Sequence, residues 1–316
     1  MNPTHFPFDR SRREILRLAA GIGITAALTG LPARASGAPL LTRVIPRSGE
    51  PLPVIGLGTS IVFDVGADTA LRQERRAVLQ AMLDAGGRVI DTAPSYGAAE
   101  DLLGDLLGVM AARPRVFLAT KVRAAGRAAA LAEMQQSQRR LRSASFDLMQ
   151  LHNVGSNASE AVEQIALLRE WKAQGICRYF GITHYQDYAN QRIIELMQRE
   201  PIDFVQINYS MAERGVEQKL LAVARDTGTA VLSNLPFARG KVFQAVRGKT
   251  LPAWAAEFDA ASWGQFFLKY ILAQEAVTCV IPGTDKPEYM LDNLNAGRGR
   301  LPDAAQRKKM LEFFEG

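Results

Sequence analysis

The stretch 86–104 reads GGRVIDTAPSYGAAEDLLG. Its glycine pair ends whatever helix precedes it, because glycine readily takes the backbone conformation that closes a helix. Val89 and Ile90 form a short apolar run that stops on an acid, Asp91. Tyr96 and Gly97 follow in a polar loop. Leu102, Leu103, Leu106 and Leu107 then fall on one side of a helix. Strand, polar loop and helix make the repeating unit of an α/β protein. Such folds put their chemistry where strands end. Asp91 and Tyr96 stand there, although an acid in this place can also cap the next helix, and a loop tyrosine can be a packed aromatic.

The same unit recurs outward from this stretch. Short Val/Ile/Leu-rich runs are expected as strands at 54–58, 88–91, 115–121, 146–152, 177–183, 203–208, 229–234 and 277–281. Apolar spacing predicts helices at 69–85, 97–110, 125–141, 159–174, 187–199, 214–227, 262–274 and 286–295. Strands of this composition suit a parallel sheet buried on both faces. Eight βα units predict one closed (β/α)8 TIM barrel. An N-terminal β-hairpin is expected from 42–45 and 52–53 around the turn 46–49, and a C-terminal helix at 304–314. A longer excursion, 235–260, follows the seventh strand. An open dinucleotide-binding sheet fits less well: Gly56 and Gly58 begin a Gly-x-Gly turn, but Ile61 stands where the third glycine belongs.

The chain has 316 residues, 47% of them apolar and 22% charged, as in ordinary globular proteins. Its formal charge of +6 is shared between two parts. Residues 1–35 carry five arginines against Asp9 and Glu14, and the remainder has a net charge of only +3. No basic cluster is interleaved with aromatics, so nucleic acid is not an expected partner. Cys177 and Cys279 sit in apolar runs. A disulfide is conceivable in an exported protein, but two small core residues are the expectation.

The first 35 residues read as a targeting segment. Arg12-Arg13 precede a mildly apolar stretch, 18–31, and then Ala33-Arg34-Ala35, an A-x-A processing site. This resembles a bacterial twin-arginine (Tat) export signal, used for proteins exported folded. It implies the Tat machinery as a partner of the precursor and a periplasmic or exported location. The mature domain would be 36–316. The apolar stretch is short for a membrane span, so no stable membrane insertion is expected after removal of the signal.

Read at the expected strand ends, the barrel mouth collects Asp91, Tyr96, Lys121 and His152. A free phenol has a pKa near 10, too high for an efficient acid at neutral pH. A neighbouring cation lowers it, and Lys121 can supply that charge. Asp91 can keep Lys121 charged and oriented, and His152 can hydrogen-bond a substrate oxygen. Tyr96 is then the expected general acid, protonating a carbonyl as its carbon is attacked. There are only three histidines, and His5 lies in the targeting segment, so no metal site is expected. The attacking group should come from a cofactor, and hydride from a nicotinamide is the natural choice.

At this point the chain resembles the aldo-keto reductase family over 50–297. The signatures are the opening stretch, Leu57-Gly58-Thr59, Ala119-Thr120-Lys121, Gln150-Leu151-His152, 175–183, 205–209 and 281–293. The resemblance implies a carbonyl reductase that uses NAD(P)H on a small aldehyde or ketone, with Asp91, Tyr96, Lys121 and His152 as its tetrad. It puts Gly58 and Thr59 beside the cofactor. Thr183, His184 and Gln206 match positions that hold the nicotinamide carboxamide, while Gly283, Thr284 and Asn293 match the adenosine phosphate end. Asn234 and Pro236 fall in the loop where relatives often offer a tyrosine that stacks on the nicotinamide. Tyr209 is a candidate replacement, with ordinary core packing as the equal alternative.

Departures from the pattern bear on the cofactor. Relatives usually have Ser-Asn where Thr183-His184 stand. Many grip the 2′-phosphate of NADP with Lys and Arg, where this chain has Gly283 and Tyr289; Lys286 and Arg298 are possible substitutes. NADP(H) is favoured over NAD(H). Asn153-Val154 after His152 replaces a frequent aromatic, so the substrate pocket differs too. Two other readings stay open: an exported cofactor-binding or partner-binding module with little turnover, and a Schiff-base aldolase using Lys121. A complete tetrad argues against the first. Placement of the lysine beside Asp91 argues against the second, which wants a desolvated amine.

Overall fold

The computed structural model describes residues 38–155 and 158–316; the targeting segment expected at 1–35 lies outside the described residues. Strand β1 (Thr42–Val44) pairs antiparallel with β2 (Pro51–Pro53), and the turn between them uses Gly49 at φ +74°. Strands β3 (Leu57–Gly58), β4 (Val89–Asp91), β5 (Phe117–Val122), β6 (Phe146–Leu151), β7 (Cys177–His184), β8 (Phe204–Asn208), β9 (Ala230–Asn234) and β10 (Val277–Val280) then form a parallel sheet in chain order. Parallel bridges Ile55–Val280 and Gly58–Gly283 join its first and last strands, closing the (β/α)8 barrel. A Cβ on Gly58 would lie 2.7 Å from the Ile281 carbonyl oxygen, so closure at this seam requires glycine.

Helices follow the strands as the apolar spacing predicts: α1 (Thr69–Asp84), α2 (Ala99–Val109), α3 (Arg127–Leu141), α4 (Ala158–Ala173) and α5 (Asn190–Arg199). The sixth is shorter than the expected 214–227. Lys219, at φ −152°, interrupts it, leaving a 3-10 turn at Gly215–Glu217 and α6 at Leu220–Asp226. The excursion carries α7 (Lys241–Ala245) between 3-10 turns Ala238–Gly240 and Ala253–Phe258. Helices α8 (Trp263–Leu272), α9 (Pro287–Ala296) and α10 (Ala304–Glu315) complete the chain, α10 starting on a capping box of Asp303 and Gln306. Among the described residues no helix is long and apolar enough to cross a membrane.

The barrel interior is a core of its own, with Val89, Phe117, Leu148, Tyr179, Phe204 and Leu232 among its members. Ile45 and Leu52 of the hairpin belong to it, so the hairpin plugs the end where the strands begin. Glu50 secures the plug by accepting from the Tyr179 hydroxyl at 2.7 Å and pairing with Arg178. Cys177 and Cys279 are free and buried. Burial pushes the Cys177 thiol up to about 12 and the Cys279 thiol up as well, which suits inert packing.

Candidate active site

Side chains alternate along a strand, and the same faces that fill the core carry the site at the opposite end. Phe117 and Ala119 point inward, so Lys121 does too. Val89 points inward, so Asp91 follows. The register sets Asp91 opposite Ala119, one inward step short of Lys121. Lys121 therefore reaches back, and its Nζ donates to Asp91 Oδ2 at 2.6 Å and to the Thr92 carbonyl at 2.9 Å. Both side chains are buried. Asp91 raises the Lys121 pKa against the opposing effect of burial, so the ammonium stays charged inside the barrel.

Tyr96 enters from the β4–α2 loop, whose turn needs Gly97 at φ +56°. Lys121 Nζ lies 4.9 Å from the Tyr96 ring centroid. The His152 ring meets the Tyr96 ring edge-on, with centroids 5.8 Å apart. The structure therefore brings all four expected residues together. It corrects one expectation about them. Lys121 does pull the phenol pKa down, but burial acts the other way and more strongly, and Asp91 adds to it, so the phenol is raised above 10. Tyr96 thus holds its proton firmly at rest. His152 is pushed down to about 3 by burial and by Lys121, Arg123 and His184, so it is neutral at physiological pH. Its Nδ1 is buried with no hydrogen-bond partner among the described residues.

Asp91 Oδ1 accepts two amides, from Gln206 Nε2 at 2.7 Å and Gln150 Nε2 at 3.1 Å. Gln206 Oε1 in turn accepts from Asn234 Nδ2 at 3.3 Å. Gln150 is a site residue the sequence reading passed over; it stands on β6 two residues before His152, which directly follows that strand, and alternation alone would have placed it inside. Arg75 was also missed. It is buried on α1 and donates to the carbonyls of Val62 and Asp285, clasping the loops after β3 and β10, and nothing in the sequence separates it from a surface arginine.

The expected cofactor residues fare differently. The Thr59 hydroxyl donates to the Asp91 carbonyl at 2.9 Å, so it fixes the strand end. Thr183 lies level with Gln206 across the β7–β8 ladder, and its Oγ1 accepts from Asn153 N at 3.0 Å. His184 is turned to the other face of its strand. Its Nδ1 accepts from Gln186 N at 3.1 Å and its Nε2 lies 3.3 Å from the Tyr188 hydroxyl, so both nitrogens are occupied in its own loop, apart from Gln206. Tyr209 requires a correction. Phe204, Gln206 and Asn208 face inward, which sends Tyr209 outward into the layer between sheet and helices. There its hydroxyl donates to Glu217 at 2.5 Å and its ring packs near Tyr270, so it is not available to stack at the mouth. Arg298 donates to the carbonyls of Ala38 and Ala85, both at 2.6 Å, and is committed to backbone rather than free for a phosphate.

At the far side, Gly283 is exposed beside the closing seam, and Pro236 is buried in the loop after β9. Thr284 Oγ1 lies 3.5 Å from Lys286 N just before α9, and Asn293 is buried on that helix. Lys286 extends over the Tyr289 ring, 5.5 Å from its centroid. Among the described residues no cluster of His, Cys, Asp and Glu is arranged to hold a metal ion.

The sequence profile of the "Aldo/keto reductase family" matches residues 54–308. The chain belongs to this family. A similar relative is the methylglyoxal reductase YeaE of Escherichia coli K12, 30% identical over 245 residues, covering 75% of this chain and 84% of the relative. The L-glyceraldehyde 3-phosphate reductase of Escherichia coli O157:H7 is 25% identical, covering 79% and 85%. Among solved structures, an aldo/keto reductase from Klebsiella pneumoniae in complex with NADP and acetate matches with a TM-score of 0.70 at 25% identity, covering 84% of this chain and 93% of that one. An NADPH complex from the same organism gives 0.71 at 25% identity, covering 88% and 95%. This member of the family is an NAD(P)H-dependent oxidoreductase that reduces carbonyls. A binding module without turnover is not favoured.

Proposed function

We propose that this reductase converts an aldehyde or ketone to an alcohol with Tyr96 as the proton donor. One observation carries the assignment: the Lys121 ammonium, held by Asp91, faces the Tyr96 ring, and a neutral His152 borders the same ring. The bound nicotinamide supplies the hydride. Tyr96 keeps its proton while the site rests, because burial disfavours phenolate. As negative charge grows on the substrate oxygen, Tyr96 gives up that proton, and the Lys121 charge stabilises the phenolate left behind. Neutral His152 orients the carbonyl by hydrogen bonding to its oxygen. Asp91 has both oxygens occupied, by Lys121, Gln150 and Gln206.

The residues at the mouth suit a nicotinamide dinucleotide. Thr183, Gln206 and Asn234 present amide and hydroxyl groups beside the tetrad, and Asn234 Oδ1 is buried without a partner among the described residues. Gly283, Thr284 and Asn293 would border the adenosine phosphate end. NADP(H) is the preferred cofactor in this reading, with Lys286 offering an exposed ammonium that makes no ion pair among the described residues. The NADP and NADPH complexes of the Klebsiella relatives support it. Relatives named for methylglyoxal and L-glyceraldehyde 3-phosphate support a small aldehyde as substrate.

The test is Tyr96→Phe. It should lower carbonyl reduction by about 10²- to 10⁴-fold, the usual worth of a positioned acid, and leave cofactor binding intact. Unchanged turnover would move the acid elsewhere. Titration with NADPH and NADH, followed by a carbonyl panel that includes methylglyoxal, reports cofactor and substrate.

The reading extends to residues 1–35. Arg12-Arg13, the apolar 18–31 and Ala33-Arg34-Ala35 together would direct export through the Tat pathway to the bacterial periplasm. Changing Arg12 and Arg13 to lysine should retain the precursor in the cytoplasm; normal export of that variant would refute the assignment.

A further inference from the structure

The amide groups above Asp91 have a fixed polarity. An ionised carboxylate only accepts hydrogen bonds, so Gln206 must turn Nε2 toward Asp91 Oδ1, as it does at 2.7 Å. Its Oε1 then faces the other way and needs a donor, which Asn234 Nδ2 provides at 3.3 Å. That contact fixes the second amide in its turn. Asn234 Oδ1 is left over, buried and without a partner among the described residues. A buried acceptor without a donor is costly, and native structures rarely leave one unless a ligand or water fills the place. The charge of Asp91 is thus relayed through two side-chain amides to an acceptor at the carboxyl end of β9.

The nature of the missing donor follows from the reaction, and this step rests on the function proposed above. Hydride leaves C4 of the nicotinamide, and the carboxamide is attached to the adjacent C3. Hydride transfer needs C4 within about 3.5 Å of the carbon whose oxygen Tyr96 protonates. The carboxamide would therefore lie close to the tetrad. Of the other expected carboxamide partners, Thr183 Oγ1 already accepts from Asn153 N and His184 has both ring nitrogens occupied in its own loop. We propose that Asn234 Oδ1 is the acceptor for the carboxamide NH2, and that the Asp91–Gln206–Asn234 relay orients the nicotinamide ring by that hydrogen bond. Asn234 is a positioning residue for the cofactor and takes the place of an aromatic platform with a polar contact.

Binding of three oxidised cofactors to the full mature chain tests this, read by calorimetry or by quenching of tryptophan fluorescence. NADP⁺ and its thionicotinamide analogue carry the NH2 group; the 3-acetylpyridine analogue has a methyl ketone there and no N–H. Asn234→Ala and the near-isosteric Asn234→Leu should weaken the first two by about five- to tenfold, the worth of one neutral hydrogen bond. Both should leave the acetylpyridine analogue within about twofold of the wild type. Asn208→Ala is the control, because Asn208 Oδ1 is also partnerless but its amide is turned by Glu213 outside the relay. Equal weakening of all three cofactors by the Asn234 variants would overturn the proposal, as would an unchanged preference, or loss of the preference in Asn208→Ala alone. Failure of the wild type to bind any of the three would overturn the proposed function as well.

Discussion

Lys121 and Asp91 form an ion pair of 2.6 Å that is almost wholly removed from solvent, the lysine at 1% exposure and the aspartate at 3%. Removing one partner leaves the other charge buried alone, which typically costs about 3–5 kcal/mol. Lys121→Met should therefore lower thermal stability sharply as well as abolish reduction. Adding Asp91→Asn to Lys121→Met should recover much of the stability and none of the activity. Equal melting temperatures for the single and double variants would show that the pair is not coupled.

His152 gives a pH signature. Its folded value of about 3 lies below the ordinary 6.5, so between those limits the unfolded chain binds the extra proton. Stability is unaffected by this group above pH 6.5 and falls as the pH drops toward 3. His184 is shifted the same way by burial. Melting temperature followed from pH 7 to 5, above most carboxylate titration, should decline in the wild type and decline less in His152→Asn. Because His152 is neutral throughout, kcat/KM should show no inflection near pH 6.5 from this residue.

Gly104 lets α2 and α3 touch. A Cβ there would lie 2.0 Å from the Arg140 carbonyl oxygen, a backbone atom with nowhere to go. Gly104→Ala should destabilise the protein by about 1–3 kcal/mol, the usual range for overpacking. Denaturant unfolding measures it. Since α2 follows the Tyr96 loop, a lower kcat in the folded variant is the accompanying expectation.

Tyr209 separates structural from cofactor roles. Its hydroxyl links Glu217 and Arg307 on the outer side of the barrel. Tyr209→Phe should cost about 1–2 kcal/mol of stability while leaving the dissociation constant for NADPH within twofold. A large loss of cofactor affinity at unchanged stability would return Tyr209 to the mouth.

The barrel was legible because the strands are short apolar runs, several of them stopping at a polar residue, and the chain order of the runs is the order of the sheet. Asp91, Tyr96, Lys121 and His152 were legible for the same reason, as polar exceptions at apolar ends. Residues misjudged or passed over were settled by alternation. Phe204, Gln206 and Asn208 share a face, so Tyr209 cannot; Thr183 and His184 divide in the same way; Gln150 and His152 share one. The phenol pKa was misjudged for another reason. A charged partner can be read from residue types, whereas desolvation depends on everything packed around the ring. The commitments of Arg75 and Arg298 to distant carbonyls carry no local signal at all.

The hairpin at 42–53 gives the barrel two ends with different tolerances for change. At the plugged end Ile45, Leu52, Tyr179, Glu50 and Arg178 depend on one another, so a substitution there must be matched by its neighbours. At the open end the excursion after β9 is anchored at particular points: Val242, Val246, Ala255 and Phe258 are buried in the outer core, Trp254 packs on Phe313 of α10, and Asp259 pairs with Arg300. Evolution, or an engineer, can rewrite the exposed positions between those anchors to admit a different carbonyl compound while the fold is guarded from the opposite pole of the barrel.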